Sequence, residues 1–275
     1  MAMVKKIFYN SSLPRAGSTL IQNILSQNPQ IHSTPTSGIY EMLAQTRRHY
    51  TDGLEFKAQS QKEMEKGYKG FLKGGIYGFY NSITDRPYVM EKCRGWGSEF
   101  NFINEFDPNP KVICMIRDIR DIYASLEKKY RSNPLIETNI ANWGNLTGTT
   151  TDKRVDVWSA NPPIGPAVDR LYQILLEGLS DKILFVKFED LCEDPKTQLE
   201  RIYDYLELKE YKHDFNNIPQ YTKEDDKWYG IFGDHIIRKK LKPQKSTAKQ
   251  VLGENTCKRI EQHYQWFFND FGYEI

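Results

Sequence analysis

Residues 6–25 read KIFYNSSLPRAGSTLIQNIL. The run from Ile7 to Tyr9 is β-branched and aromatic, which is typical of a short buried strand. Turn-forming residues follow as far as Gly17, and apolar residues then recur at the spacing of one helix face, at Leu20, Ile21, Ile24 and Leu25. A strand, a glycine-containing loop and a helix in this order are the opening of an α/β unit.

The rest of the chain continues this alternation. Short apolar runs at 86–90, 111–116 and 183–188 predict further strands, and amphipathic stretches between them predict helices. Strands that alternate with helices favour an α/β fold with a central parallel sheet flanked by helices. We find no repeat or linker that divides the chain, so we expect one domain over residues 1–275. Residues 133–166 lack periodicity and predict a long lid or substrate-binding loop.

Composition narrows the possible partners. A net charge of +2 is too small to indicate nucleic acid or a membrane surface as the main partner. The four cysteines lie far apart without a CxxC pair, which suits a reducing compartment and is not a zinc pattern. No apolar stretch has the length of a membrane span or of a signal peptide. We therefore expect a cytoplasmic protein without a metal site.

The loop at 14–19 has the features of an anion site. A loop that leaves a strand and enters a helix offers free backbone N–H groups and the positive end of the helix dipole. Gly17 permits close approach of the backbone, Ser18 and Thr19 add hydroxyl donors, and Arg15 adds a charged one. An ordinary turn with a Ser or Thr cap is the alternative. The loop lacks the lysine of GxxxxGK[ST], which argues against ATP.

A second candidate anion contact is Arg117. It follows the most convincing buried strand, at the end where open α/β sheets bind ligands. Ser125 lies eight residues further on, about two helical turns, so both side chains can face one site. Pairing of Arg117 with neighbouring surface acids is the alternative.

Three segments together resemble the PAPS-dependent sulfotransferases. Residues 13–20 look like their 5′-phosphosulfate loop, residues 112–125 like their 3′-phosphate motif, and residues 186–195 like a third family feature. The Pro-Arg form of the loop is closer to the tyrosylprotein and Golgi-type branch. The resemblance implies a P-loop-NTPase-like fold and transfer of a sulfuryl group from PAPS to a hydroxyl or amine, releasing PAP, with no metal required.

The resemblance also implies a set of donor contacts. Around the 5′-phosphosulfate and the 3′-phosphate they are Arg15, Ala16, Gly17, Ser18, Thr19, Leu20, Arg117 and Ser125. Phe188 stands in the third motif where many relatives have Tyr, so a hydroxyl contact would be lost. Arg238 and Lys239 are candidates for a basic segment that closes over the 3′-phosphate, and a solvated charge run is the alternative.

The catalytic residues are less well defined. Arg15 and Lys92 are assigned to the leaving phosphate, because cationic side chains can stabilise it. Lys92 ends a predicted strand where related enzymes often carry Lys, although a surface pair with Glu91 is equally compatible with the sequence.

The general base has no motif. The tyrosylprotein-type enzymes place a Glu near the position of Pro35 and Thr36, where this chain has none, and the His of cytosolic enzymes is replaced by Cys93-Arg94. The remaining candidates are Glu41, His32 and Glu91, and we prefer Glu41 if residues 34–38 form a loop.

The acceptor is not defined by the sequence, and a small molecule, a glycan or a peptide is possible. Aromatic residues in segments that could line its pocket are Tyr40, Tyr50, Trp143 and Trp158. Two other functions stay open. A P-loop-type small-molecule kinase would need a Walker Lys and a magnesium-binding carboxylate. A non-catalytic nucleotide-binding protein of the same fold would explain the missing base.

Overall fold

A computed structural model describes residues 3–132, 139–140, 144–146 and 148–275. The strands are β1 (Lys6–Asn10), β2 (Ile31–Thr36), β3 (Tyr88–Lys92), β4 (Val112–Ile116), β5 (Asn139–Ile140), β6 (Gly144–Asn145) and β7 (Ile183–Lys187). Five of them form a parallel sheet in the order β2-β3-β1-β4-β7, and β5 pairs with β6 in a separate antiparallel ribbon.

Helices connect and flank these strands. They are α1 (Ser18–Leu25), α2 (Ile39–Asp52), α3 (Leu54–Lys57), α4 (Gln61–Asn81), α5 (Phe100–Phe106), α6 (Ile119–Arg131), α7 (Thr151–Ala160), α8 (Gly165–Leu176), α9 (Phe188–Glu193), α10 (Pro195–Leu206), α11 (Ala248–Leu252), α12 (Glu254–His263) and α13 (Gln265–Phe271), with 3-10 turns at Ser180–Lys182 and Asp226–Phe232. The predicted fold class, a central parallel sheet flanked by helices, is confirmed.

The order of the strands determines where the loop after β1 lies. β1 is central, since it pairs with β3 on one side and β4 on the other. Every residue of β4 is buried, as expected for a strand covered on both faces. Because all five strands are parallel, their carboxyl ends share one edge of the sheet. The loop after β1 therefore emerges in the middle of that edge, beside Lys92 at the end of β3.

Strand β2 was not predicted from the sequence. It contains Pro35, which lacks a backbone N–H and indicates a break in a central strand. β2 pairs only with β3 and is therefore an edge strand, where proline is tolerated. Residues 31–36 thus form a strand that brings Thr36 next to Lys92. The loop over 34–38 on which the preference for Glu41 depended is therefore absent at 34–36.

The long loop predicted over 133–166 is wrong for part of its length. Residues 151–160 form α7, which begins after Thr150, whose side chain accepts the Lys153 amide. Few apolar residues mark this helix, so its sequence shows little periodicity. Residues 133–138, 141–143 and 147 lie outside the described residues. No helix in the described part of the chain is long and apolar enough to cross a membrane.

Candidate active site

The loop after β1 ends in a strained turn. Arg15 and Gly17 both have positive φ angles, 58° and 85°. Gly17 precedes α1, which begins at Ser18 without a side-chain cap, so N–H groups of its first turn are not satisfied by a capping side chain. A Cβ atom at residue 17 would lie 2.7 Å from the Phe188 ring. Both the conformation and the contact with this ring therefore require glycine.

A cleft of about 460 Å³ opens beside this loop. It is bounded by residues that follow four of the parallel strands: the loop after β1, Arg94 after β3, Arg117 after β4 and Phe188 after β7. The remaining lining residues on α6 and in the C-terminal part are Asp121, Ser125, Lys128, Asp234, His235, Ile236, Ile237, Arg238, Lys240, Leu241, Lys242, Gln244 and Thr247. The cleft thus lies at the edge of the sheet where open α/β folds bind ligands.

Most of the predicted donor contacts meet at this cleft. Arg15, the residues from Gly17 to Leu20, Arg117, Ser125, Phe188 and Arg238 all line it. Ala16 does not line it, because its side chain is buried in the core. Lys239 does not line it either: its carbonyl accepts the Ile218 amide at 2.7 Å, and the neighbouring Lys240 and Lys242 reach the cleft instead.

Arg117 is held from two sides. It donates from one terminal nitrogen to the Arg15 carbonyl at 3.1 Å, and its guanidinium lies 4.7 Å from the centre of the Phe188 ring. Its Nε is buried and has no hydrogen-bond partner among the described residues. The ring of Phe188 therefore supports this cation through its face, without the hydroxyl that Tyr would add.

The two predicted anion motifs are in direct contact. Arg15 Nε donates to Ser125 Oγ at 3.0 Å, so the loop and α6 meet through these side chains. The other side of the same guanidinium forms an ion pair of 2.5 Å with Asp234. Asp234 was not predicted, and an anion that binds Arg15 would have to compete with it.

Lys92 is buried at the base of the loop. Its Nζ donates to Thr19 Oγ1 at 3.2 Å and to Glu224 Oε1 at 2.9 Å. Only 7% of the Lys92 side chain and 3% of the Glu224 side chain are exposed. Burial lowers the pKa of Lys92, and the charge of Glu224 opposes that fall. Lys92 is thus held beneath the loop by Glu224 and does not form the surface pair with Glu91.

Glu224 connects Lys92 to a histidine and a second carboxylate. Its Oε1 also accepts the Thr36 amide at 2.9 Å, and its Oε2 lies 3.2 Å from His235 Nε2. That contact lacks hydrogen-bond geometry. Oε2, which is buried, therefore has no hydrogen-bond partner among the residues the structure describes. His235 Nδ1 lies 2.6 Å from Asp226 Oδ1.

The charge state of Glu224 follows from its surroundings. Burial raises the pKa of this carboxyl, but Lys92, the Thr36 amide and His235 together hold it below its ordinary value. Glu224 is therefore a carboxylate at neutral pH. Sequence reasoning missed Glu224 and His235 because residues 215–247 have no recognisable motif or periodicity.

The three predicted bases do not line the cleft. His32 is the second residue of β2, close to Arg86. It therefore lies towards the amino ends of the strands, away from the cleft at their carboxyl ends, and burial lowers its pKa. Glu41 lies exposed in the first turn of α2. Glu91 is completely buried and accepts a hydrogen bond from Trp96 Nε1, and burial raises its pKa to about 8.

The aromatic residues considered for an acceptor pocket do not line the cleft where they are described. Trp158 is fully buried, and Tyr50 stacks on Tyr68 with ring centres 4.2 Å apart. Tyr40 packs against Trp96, in the turn that follows β3. Trp143 lies outside the described residues.

A family model described as "Sulfotransferase family" matches residues 11–213. The chain belongs to the sulfotransferase family. The matched region contains the loop after β1, the Arg117–Ser125 motif and Phe188. Glu224 and His235 of this sulfotransferase lie beyond it. None of the curated proteins matches the sequence significantly.

Solved structures of other sulfotransferases resemble the chain. The sulfotransferase domain of a Synechococcus olefin synthase is 18% identical over 96% of both chains, with a TM-score of 0.47. The sulfotransferase domain of the curacin biosynthetic pathway is 16% identical over 96% of this chain and 99% of that one, with a TM-score of 0.49. The sulfotransferase STF9 of Mycobacterium avium is 14% identical over 76% and 65%, with a TM-score of 0.45.

Proposed function

We propose that this sulfotransferase transfers a sulfuryl group from PAPS to a hydroxyl group and releases PAP. The observation that carries the proposal is the basic cleft that joins the loop after β1 to Arg117 and Ser125. PAPS is anionic at its 5′-phosphosulfate and at its 3′-phosphate, so it needs two separate groups of donors. The cations that line the cleft are Arg15, Arg94, Arg117, Lys128, Arg238, Lys240 and Lys242, against two carboxylates, Asp121 and Asp234.

The residues present fit such a donor. Arg117 Nε is a buried, unpartnered hydrogen-bond donor, which a phosphate oxygen could satisfy. The loop N–H groups and Arg15 would hold the 5′-phosphosulfate, and Gly17 would allow its close approach. Arg117 and Ser125, covered by Arg238 and its lysine neighbours, would hold the 3′-phosphate. The absence of a Walker lysine from the loop argues against a kinase.

Lys92 supplies positive charge where the leaving oxygen needs it. Sulfuryl transfer requires in-line geometry, neutralisation of the leaving oxygen and removal of the acceptor proton. Lys92 touches Thr19 in the loop, so its ammonium lies at the 5′ end of the proposed donor site. Arg15 would add a second charge there after release from Asp234.

We assign the base to Glu224, which does not line the cleft but contacts Lys92 at the foot of the loop, so the acceptor must displace the side chains that bury its Oε2. Its Oε2 carries no hydrogen bond, while Lys92 and the Thr36 amide hold Oε1. As the acceptor oxygen bonds to sulfur and the sulfur–oxygen bond to PAP breaks, the acceptor proton becomes acidic and passes to Oε2. His235 Nε2 lies 3.2 Å from Oε2 and would need to turn into hydrogen-bond geometry to carry the proton onward. The Tyr229 ring packs against His235 at a tilt, with ring centres 4.9 Å apart.

Turnover with PAPS tests the proposal. Purified protein is incubated with PAPS and a panel of alcohols, phenols and amines, and PAP release is measured, with ATP and Mg²⁺ as the comparison donor. We expect acceptor-dependent PAP release that Arg117→Ala abolishes and that Arg48→Ala, an exposed arginine on α2, leaves intact. Phosphoryl transfer from ATP would establish a kinase instead. PAP binding without turnover on any acceptor would establish a non-catalytic protein.

Several further features belong to this proposal. We propose that the acceptor is a small molecule, a glycan or a peptide, and that the protein acts in the cytoplasm without nucleic-acid or membrane partners. That residues 1–275 form one domain stays a prediction, as does the closer likeness of the loop to the Golgi-type branch.

A further inference from the structure

Two arginines beside the transfer site have no anionic partner. Arg94 lies two residues after Lys92, is exposed and lines the cleft. Arg170 lies on α8 and is half-buried. Neither side chain makes a hydrogen bond or an ion pair with any residue in the described ranges, whereas Arg15, Arg120 and Arg154 are all paired with carboxylates.

The packing of α8 turns Arg170 towards the turn after β3 that carries Arg94. A Cβ atom at Gly97 would lie 2.6 Å from Ile174 Cδ1, so α8 touches the turn that follows β3. Arg170 precedes Ile174 by four residues and therefore projects from the same face of the helix. Consistent with this placement, burial raises the pKa of Cys93 to about 11 and the charge of Arg170 works against that rise.

No carboxylate among the described residues forms an ion pair with either of these two arginines. Tyr40 covers Gly95, since a Cβ atom there would lie 2.6 Å from the Tyr40 ring. Glu41, the nearest carboxylate on α2, is exposed and pairs with neither arginine in the part of the chain described here. Two guanidinium groups brought together without a counter-ion repel one another, and a bound anion would relieve that repulsion.

The same pair lies next to the proposed base. Arg94 follows Lys92, the ion-pair partner of Glu224, by two residues, so the turn after β3 carries Arg94 close to the proposed base. Glu224 forms its ion pair with Lys92 and with neither arginine among the described residues, so it offsets the charge of Arg94 only in part. Arg170 does not line the donor cleft, so the donor does not explain its position.

We propose that Arg94 and Arg170 bind an anionic group of the acceptor, a carboxylate or a phosphate, and so position its hydroxyl beside Glu224. The planar guanidinium fork suits both anions. This inference rests on the proposed sulfuryl transfer, because it assigns the substrate class of the same site. The acceptor is thus an acid that also carries a hydroxyl group.

Matched acceptors test the inference. PAP release is measured with three pairs that share a hydroxyl and differ in the anion: 4-hydroxyphenylacetate and its amide, 3-hydroxybutyrate and its amide, and glycerol 3-phosphate and glycerol. The carboxylate and phosphate pairs separate the two kinds of anion. The proteins compared are wild type, Arg170→Ala, Arg170→Lys and the control Arg48→Ala. In parallel, calorimetry measures binding of the three anionic probes to each protein saturated with PAP.

We expect a higher kcat/KM for at least one anionic member than for its neutral partner. Arg170→Ala should lower that value about 10- to 100-fold, as loss of a hydrogen bond to a charged group does, and should leave neutral acceptors nearly unchanged. Arg170→Lys should restore part of the loss, and Arg48→Ala should match wild type. Arg170-dependent binding of an anionic probe without any PAP release would support the subsite while contradicting sulfuryl transfer.

The inference is overturned if anionic and neutral members perform alike, or if Arg170→Ala lowers both equally. It is also overturned if no anionic probe is turned over and none binds the PAP-saturated protein. A thermal unfolding curve of each variant identifies misfolding. If Arg170→Ala is unfolded, the comparison passes to Arg170→Gln and Arg170→Lys, and equal performance of these two on anionic acceptors contradicts the proposal.

Discussion

Glu224→Gln removes one negative charge from the centre of the proposed site. The amide has nearly the same shape and can still accept the Thr36 amide, so packing is preserved. The substitution takes away the counter-ion of Lys92, whose ammonium is then left with neutral acceptors only, Thr19 Oγ1 and the amide oxygen at position 224. It also replaces the free oxygen that we propose as the base.

The expected loss of stability follows from burial of the pair. Only 7% of Lys92 and 3% of Glu224 are exposed, so water cannot replace the lost partner. Breaking a buried ion pair by removing one member costs about 3–5 kcal/mol. Loss of a general base should independently slow turnover by about 10²- to 10⁴-fold. The two effects have different readouts, and one does not imply the other.

Urea unfolding followed by tryptophan fluorescence measures the first effect, and PAP release in saturating PAPS measures the second. Lys92→Met combined with Glu224→Gln should be less destabilising than the sum of the single variants, because the double variant leaves no unpaired charge. Glu41→Gln, at an exposed carboxylate, should change neither quantity. The reasoning would be refuted if Glu224→Gln lowered the free energy of unfolding by less than about 1 kcal/mol and left turnover unchanged. A loss that small is below the cost of a broken buried ion pair.

Three further predictions concern neighbouring residues. Gly17→Ala should weaken PAP binding in calorimetry more than about 10-fold, since a residue with a Cβ is strained in this left-handed backbone conformation and would clash with Phe188. An unchanged affinity would contradict this. Asp234→Asn should tighten PAP binding about two- to fivefold, because it frees Arg15 from a partly exposed ion pair, and weaker binding would contradict competition. Burial raises the pKa of Glu91 from 4.5 to about 8, so its folded form holds a proton that the unfolded chain releases. Its contribution to stability is therefore complete below pH 4.5 and declines up to about pH 8, by on the order of 5 kcal/mol. The free energy of unfolding between pH 5 and 9 should decline less in Glu91→Gln than in wild type, and an identical decline would argue against this account.

The parts of the site that could be predicted consist of residues that lie close together in the sequence. The loop after β1 and the Arg117–Ser125 motif each follow an apolar strand, so strand order and local chemistry were enough to place them. Phe188 was expected to lack a hydroxyl contact, and the structure adds that its ring supports Arg117 and excludes any side chain at residue 17.

The base that we propose could not be predicted, because its position depends on contacts between distant residues. Glu224 follows Lys92 by 132 positions and joins it only through the fold. Strand β2 was missed because Pro35 is acceptable only at a sheet edge, and edge position is a property of the whole sheet. That error affected the base assignment, since Glu41 was preferred on the assumption of a loop there. Burial of Glu91 and the position of His32 likewise depend on strand register.

The central claim is that one cleft recognises the two anionic ends of PAP. The most direct measurement is calorimetric titration of PAP and of AMP, which lacks the 3′-phosphate, into wild type and Arg117→Ala. Wild type should bind PAP at least about 10-fold more tightly than AMP, the effect of hydrogen bonds to a charged group. In Arg117→Ala that difference should disappear while AMP affinity persists. Equal affinities for PAP and AMP in wild type, or an undiminished preference in Arg117→Ala, would contradict the claim.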